Sequence, residues 1–156
     1  MSNILVLPMI VPIITAALLV FLHDQIKLQR IVSLITMIFV SGVSVVLLQL
    51  IQTEGILRLD FSGWLPPFGI LFVADSFSVL LVLTSSIVTA ICLIYAFSTI
   101  GEAREKMYFY PFVLFLIAGV NGSFLTGDIF NLFVCFEVML LASYALIALG
   151  GEKFQL

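Results

Sequence analysis

Apolar residues run along this chain in five long blocks separated by short polar connections. The blocks cover residues 4–22, 31–51, 76–97, 108–125 and 129–149. Each has roughly the 20-residue length with which an α-helix crosses a ~30 Å hydrocarbon layer. The pattern predicts an all-α membrane protein with five transmembrane helices. Pro8 and Pro12 fall in the first block. Pro8 is tolerated near a helix start, whereas Pro12 is expected to bend the helix, which a surrounding bundle accommodates. Pro111 falls in the first turn of the fourth helix, where its missing N–H has no partner to lose.

The connection between the second and third blocks follows a different rhythm. Leu57, Leu59 and Phe61 alternate with Arg58 and Asp60, which is the period of a strand. A turn signal at Pro66-Pro67-Phe68-Gly69 precedes a second apolar stretch at 70–73. The expectation is a small β-hairpin over about 55–73, with Trp64 at headgroup level. Its side follows from the basic residues. Lys27 and Arg30 lie in or beside the first connection, Arg104 and Lys106 in the third, and Lys153 in the tail, with Arg58 alone on the other side. The positive-inside rule then places the N-terminus and the hairpin outside and the C-terminus in the cytoplasm.

Composition sharpens the picture. The chain is 63% hydrophobic and 10% charged, with a mean hydropathy of +1.31. A water-soluble fold of 156 residues cannot enclose that much apolar surface in its own core. A net charge of -3 without a basic patch gives no footprint for nucleic acid. Cys92 and Cys135 both lie inside apolar blocks, with no disulfide framework and no metal-ligand spacing, so both read as packing residues. The first block has no positively charged segment before it and is expected to remain as a spanning helix rather than to be cleaved.

A single residue among all Asp, Glu, Lys, Arg and His lies in the interior of an apolar block. Glu137 lies ~13 Å from Asp128 and ~18 Å from Leu149 along the fifth helix, near mid-membrane. A charge at that depth costs roughly 2.5–3.5 kcal/mol on insertion scales and marks a functional site by default. The alternative is a protonated carboxyl satisfied by a neighbouring helix. Desolvation disfavours the charged form, which suits a group that exchanges protons. Phe133 and Leu141 flank it one turn away, and Tyr144 shares its face two turns on. Four further residues are candidates for a pathway or for packing. Asp75 is placed as either a pathway carboxylate or a helix N-cap. Asp128 follows the Thr126-Gly127 turn and is placed to cap the fifth helix. Asn121 is expected to hydrogen-bond across the fourth and fifth helices, and Tyr144 completes the set. On the third helix, Ser78, Ser85, Thr89, Cys92 and Ala96 form one small-residue face, suited to close packing or to a polar track.

Three segments carry a resemblance. They are Asp75-Ser76-Phe77-Ser78-Val79-Leu80-Leu81-Val82-Leu83, Gly119-Val120-Asn121-Gly122-Ser123-Phe124-Leu125-Thr126-Gly127-Asp128, and Phe130 to Leu140 around Glu137 with Ala142-Ser143-Tyr144. Together they resemble the D subunit of the Mrp-type multisubunit Na+/H+ antiporter, itself similar to the proton-pumping subunits of respiratory NADH–quinone oxidoreductase. Respiratory relatives commonly have Trp immediately before this glutamate; here it is Phe136, which favours the Mrp branch. The resemblance implies that residues 1–156 form the N-terminal part of an antiporter-like membrane domain in a bacterial plasma membrane. It also implies other subunits as partners, H+ and Na+ (or K+) as transported ions, and Glu137 as the essential membrane glutamate. The membrane lysine that faces this glutamate in the family has no counterpart here, which points to a truncated product or a fragment without transport activity of its own.

Two other roles stay open at this stage. One is a non-transporting assembly piece of such a complex. The other is a proton-translocating subunit of a respiratory complex. No motif for NAD, flavin, iron–sulfur or quinone is present, so no cofactor, metal or redox catalysis is expected.

Overall fold

The computed structural model describes residues 2–60 and 69–149. A short 3-10 helix at Ser2–Val6 leads into α1 (Leu7–Phe21), then α2 (Ile26–Glu54), β1 (Leu57–Asp60) and β2 (Leu71–Ala74). The remaining elements are α3 (Ser76–Thr99), a one-turn α4 (Glu102–Glu105), α5 (Phe109–Leu125) and α6 (Ile129–Ala148). Four of these stretches, Asn3–Phe21, Ile26–Glu54, Ser76–Thr99 and Ile129–Ala148, are long and apolar enough to cross a membrane. The apolar α5 has 17 residues and is shorter.

The two strands pair antiparallel, with Leu57 opposite Ala74 and Asp60 opposite Leu71. The small two-stranded sheet expected between the second and third helices is therefore present. Phe61, Trp64, the Pro66-Pro67 turn and Lys153 lie outside the described residues. Gly55 ends α2 at φ 81, a left-handed backbone that only glycine adopts without strain.

The most enclosed helix is α5. It packs along α6 and α1 and also touches α3, while α2 packs on α3. Tyr110, Pro111, Leu114, Ile117, Ala118 and Leu125 are buried along one side of α5, and the residues of its other side are half-buried, none of them exposed. A helix that is apolar all round belongs in the interior of a bundle. Two apolar clusters result. Leu5, Val6, Leu47, Ile51, Phe72 and Leu125 pack at the sheet end, and Leu19, Met37, Leu93, Tyr110 and Leu114 at the other.

Close approach of α5 and α6 depends on glycine. A Cβ on Gly119 would stand 2.8 Å from the Cys135 carbonyl oxygen and 2.9 Å from the Met139 backbone nitrogen. These are backbone atoms that cannot step aside, and small residues of this kind are what let helices meet in lipid.

The small-residue face expected on α3 is displaced. Its buried residues are Val79, Val82, Ser86, Leu93 and Ala96, while Cys92 is exposed. The bulkier Leu93, Val79 and Val82 fill the interface together with Ser86 and Ala96, so the packed face is rotated away from Cys92 and is not made of small residues alone. Cys135 is buried.

Candidate functional site

At the sheet end of the bundle, the turn between α5 and α6 is tied to β2. Thr126 bridges to Phe72, and the Gly127 N–H donates to the Leu71 carbonyl at 2.7 Å. Asp128 connects both elements. One carboxylate oxygen accepts the Asn131 N–H at 2.7 Å and so caps α6, and the other accepts the Leu71 N–H at 2.9 Å. Asp75 caps α3 by accepting the Ser78 N–H at 2.7 Å, and Ser78 Oγ accepts the Asp75 N–H at 3.1 Å in return. This reciprocal capping box holds the Asp75 carboxyl below its ordinary range, chiefly through the Ser78 N–H. Both aspartates satisfy helix N-termini and orient the two helices against the sheet.

Asn121 does not bond across α5 and α6 as the sequence led us to expect. It is fully buried and reaches the other way. Its amide Nδ2 donates to the Pro8 carbonyl on α1 at 3.1 Å, and its Oδ1 accepts from the Ser85 hydroxyl on α3 at 2.9 Å. The Pro8 carbonyl would ordinarily accept from the N–H four residues on, but that residue is Pro12, which has none. Asn121 therefore supplies the donor that Pro12 removes, and in an apolar interior that replacement matters. The polar groups lock three helices together.

Glu137 has a different setting. On α6, Asn131, Cys135 and Ala142 are buried. Glu137 is exposed on the opposite side, in a stripe with Phe133, Leu141 and Tyr144, which are 62%, 66% and 63% exposed. Its carboxylate makes no hydrogen bond or ion pair among the described residues. Tyr144 lies two turns away, ~10 Å along the axis. No hydrogen bond joins any two of Asp75, Asn121, Asp128, Glu137 and Tyr144. The chemistry available to Glu137 here is that of a carboxyl group with no partner among the described residues. Among the described residues, no group of three or more His, Cys, Asp or Glu side chains is placed to hold a metal ion.

A second polar cluster went unseen in the sequence. Glu105 in the short α4 is buried, with a side chain 0% exposed. Arg30 of α2 grips it bidentately, Nη2 to Oε2 at 2.7 Å and Nε to Oε1 at 3.1 Å. The Tyr110 hydroxyl donates to Oε1 at 2.5 Å, and the Arg30 guanidinium lies 5.7 Å from the Phe97 ring centroid. In the sequence Glu105 sits within Glu102-Ala103-Arg104-Glu105-Lys106 and looks like part of a solvated loop. Nothing in that run distinguishes the one carboxylate that folds inward.

Helices long and apolar enough to cross a membrane, a hydrogen-bonded interior and, on an outward face, an acid unpartnered among the described residues define a class: an α-helical membrane protein with a carboxyl group inside one of those helices. No model of a known protein family matches the chain. Individual relatives do. The chain is 49% identical over all 156 residues to the D subunit of the Na(+)/H(+) antiporter of Alkalihalophilus pseudofirmus, covering 32% of that protein. It is 45% identical over its whole length to the Na(+)/H(+) antiporter D subunit of Bacillus subtilis, again covering 32%. Its fold matches a chain in the structure of the Mrp complex from Dietzia sp. with a TM-score of 0.84 and 34% identity, covering 94% of this chain and 27% of that one. The chain thus spans about a third of the length of the relatives it matches. The resemblance to the D subunit of Mrp-type antiporters holds along the entire sequence.

Proposed function

We propose that this chain supplies the Glu137-bearing portion of a monovalent cation/proton antiporter subunit of the Mrp type. In this reading it spans the plasma membrane of a bacterium five times, with α5 as the enclosed fourth crossing. The N-terminus and the sheet face outward and the C-terminus faces the cytoplasm, as the Lys and Arg placement favours. It works with further subunits to export Na+ (or K+) in exchange for H+.

The observation that carries the proposal is the position of Glu137. It is the one acid in the interior of a span, it points away from the α5 interface, and it has no partner among the described residues. A carboxyl group in apolar surroundings favours its neutral form, and an approaching cation favours its charged form. Alternation between the two states is a proton relay. Asp75, Asn121 and Asp128 serve as structural supports in this scheme, and Tyr144 extends the polar part of the outward stripe.

The test is substitution in the complete subunit assembled with its partners. Glu137→Gln preserves size and hydrogen bonding but cannot titrate, and it should abolish Na+-dependent proton flux in everted vesicles while the complex still assembles. Glu137→Asp should retain partial flux. Normal flux in the glutamine variant would show that the carboxyl is not the relay.

A further inference from the structure

Two hollows open on the same stretch of α2, where α1 turns into α2 and α3 turns into α4. The first, about 610 Å³, has a charged rim that includes Asp24, Lys27, Arg30, Glu102 and Lys106. The second, about 350 Å³, follows α2 past Ile31, Leu34 and Ile35 with Phe97 of α3 on its other wall. The two share Lys27, Arg30 and Ile31, so an open hollow with a charged rim at the helix ends continues into an apolar groove along α2.

The charges at the rim are not equivalent. Arg30 is occupied by Glu105. Lys27, Lys106 and Glu102 form no ion pair among the described residues, and Asp24 meets the exposed imidazole of His23 at 3.1 Å. The hollow therefore presents two ammonium groups, unpaired among the described residues, beside two carboxylates. A purely anionic ligand would satisfy the lysines and be repelled by the carboxylates. A ligand carrying both a phosphate and a primary ammonium group, joined to an acyl chain, complements the rim and the groove together.

We infer that this is a binding site for an ethanolamine phospholipid. The phosphate sits at Lys27 and Lys106, the ammonium group at Glu102 and Asp24, and one acyl chain lies along Ile31, Leu34, Ile35 and Phe97. The aliphatic stems of Lys27 and Arg30 line the passage between headgroup and chain, as long basic side chains do at a membrane interface. The inference rests on the membrane placement of α2 and α3 and is independent of the role of Glu137.

Native mass spectrometry of the purified full chain in detergent tests it. The probes are dioleoyl phosphatidylethanolamine, phosphatidylglycerol and phosphatidylcholine, with phosphorylethanolamine as a probe lacking acyl chains. Phosphatidylethanolamine should bind about tenfold tighter than either other lipid, and the Lys27→Gln/Lys106→Gln pair should weaken it about thirtyfold. Glu102→Gln should level the ethanolamine and glycerol lipids. Leu34→Trp, which fills the groove, should weaken all three, and phosphorylethanolamine alone should not be retained. Circular dichroism identifies any variant that fails to fold; if the lysine pair does, Glu102→Gln and Leu34→Trp decide. Equal retention of all three lipids, preference for phosphatidylglycerol, or unchanged binding in the folded variants would overturn the site. The groove would then be left to a helix of another protein.

Discussion

The two sides of the α5–α6 pair handle polar groups in opposite ways. Toward α1 and α3, Asn121 meets a carbonyl that Pro12 leaves without a donor and a hydroxyl from Ser85. Toward the outside of α6, Glu137 stands among Phe133, Leu141 and Tyr144 with no partner among the described residues. A buried polar group without a partner costs about 1–3 kcal/mol, and most such groups in this bundle are matched; Gln29 Oε1 is an exception among the described residues. The contrast teaches that the inner polar residues fix helix positions, while Glu137 takes no part in that packing and is left for the relay role we propose.

The strongest way to break this contrast is to disturb a matched group. Arg30→Ala would leave the Glu105 carboxylate, in a site with no exposure, with only the Tyr110 hydroxyl among the described residues, and removing one member of a buried pair typically costs about 3–5 kcal/mol. We expect a loss of that size in unfolding measurements on the micelle-embedded chain. A change under about 1 kcal/mol, on the scale of an exposed pair, would show that Glu105 finds water instead.

Asn121→Ala should cost less, about 1–3 kcal/mol, by orphaning the Pro8 carbonyl. The informative measurement is a double-mutant cycle with Pro12→Ala, which restores an N–H at the position able to serve Pro8. The double variant should recover much of the loss. Strict additivity would show that Asn121 acts through Ser85 alone.

Asp75→Ala should remove a capping interaction of about 1 kcal/mol. The effect has a defined pH dependence. The folded-state carboxyl titrates below its ordinary value of 3.8, so the cap contributes fully above that value and is lost as pH falls through the lower folded-state value. Wild type and Asp75→Ala should therefore converge in stability in acid; a difference that stays constant with pH would contradict the charged cap.

Glu137→Gln should have the smallest effect on folding. In apolar surroundings the carboxyl favours its neutral form, and a neutral carboxyl and an amide without partners among the described residues should differ by roughly 0.5 kcal/mol or less. A large loss would show that Glu137 supports the bundle and would erase the contrast.

Much of this was legible in the sequence, for identifiable reasons. Apolar runs reveal helices because lipid rewards continuous hydrophobicity, and alternation through Leu57 and Leu59 revealed β1. Asp128 after the Thr126-Gly127 turn marked the start of α6, whose N-terminus it caps. Glu137 was conspicuous because no other Asp, Glu, Lys, Arg or His lies in the interior of an apolar run. What stayed hidden depends on three-dimensional partners. The direction Asn121 faces is set by the rotation of α5, and the link to Pro12 joins residues far apart in the chain, even though a proline inside a helix already signals a carbonyl in need of a donor. Glu105 looks like its neighbours until α4 folds it beneath Arg30. The small residues of α3 share a sequence face, yet the interface formed around Leu93 and left Cys92 outside.

The central claim, that Glu137 gains and loses a proton during exchange, can be observed directly. Infrared difference spectra of the complete antiporter, recorded before and after adding Na+, should show loss of a protonated-carboxyl band as the cation displaces the proton. The same band should be missing in Glu137→Gln. A sodium-induced carboxyl signal that persists unchanged in the glutamine variant would contradict the account.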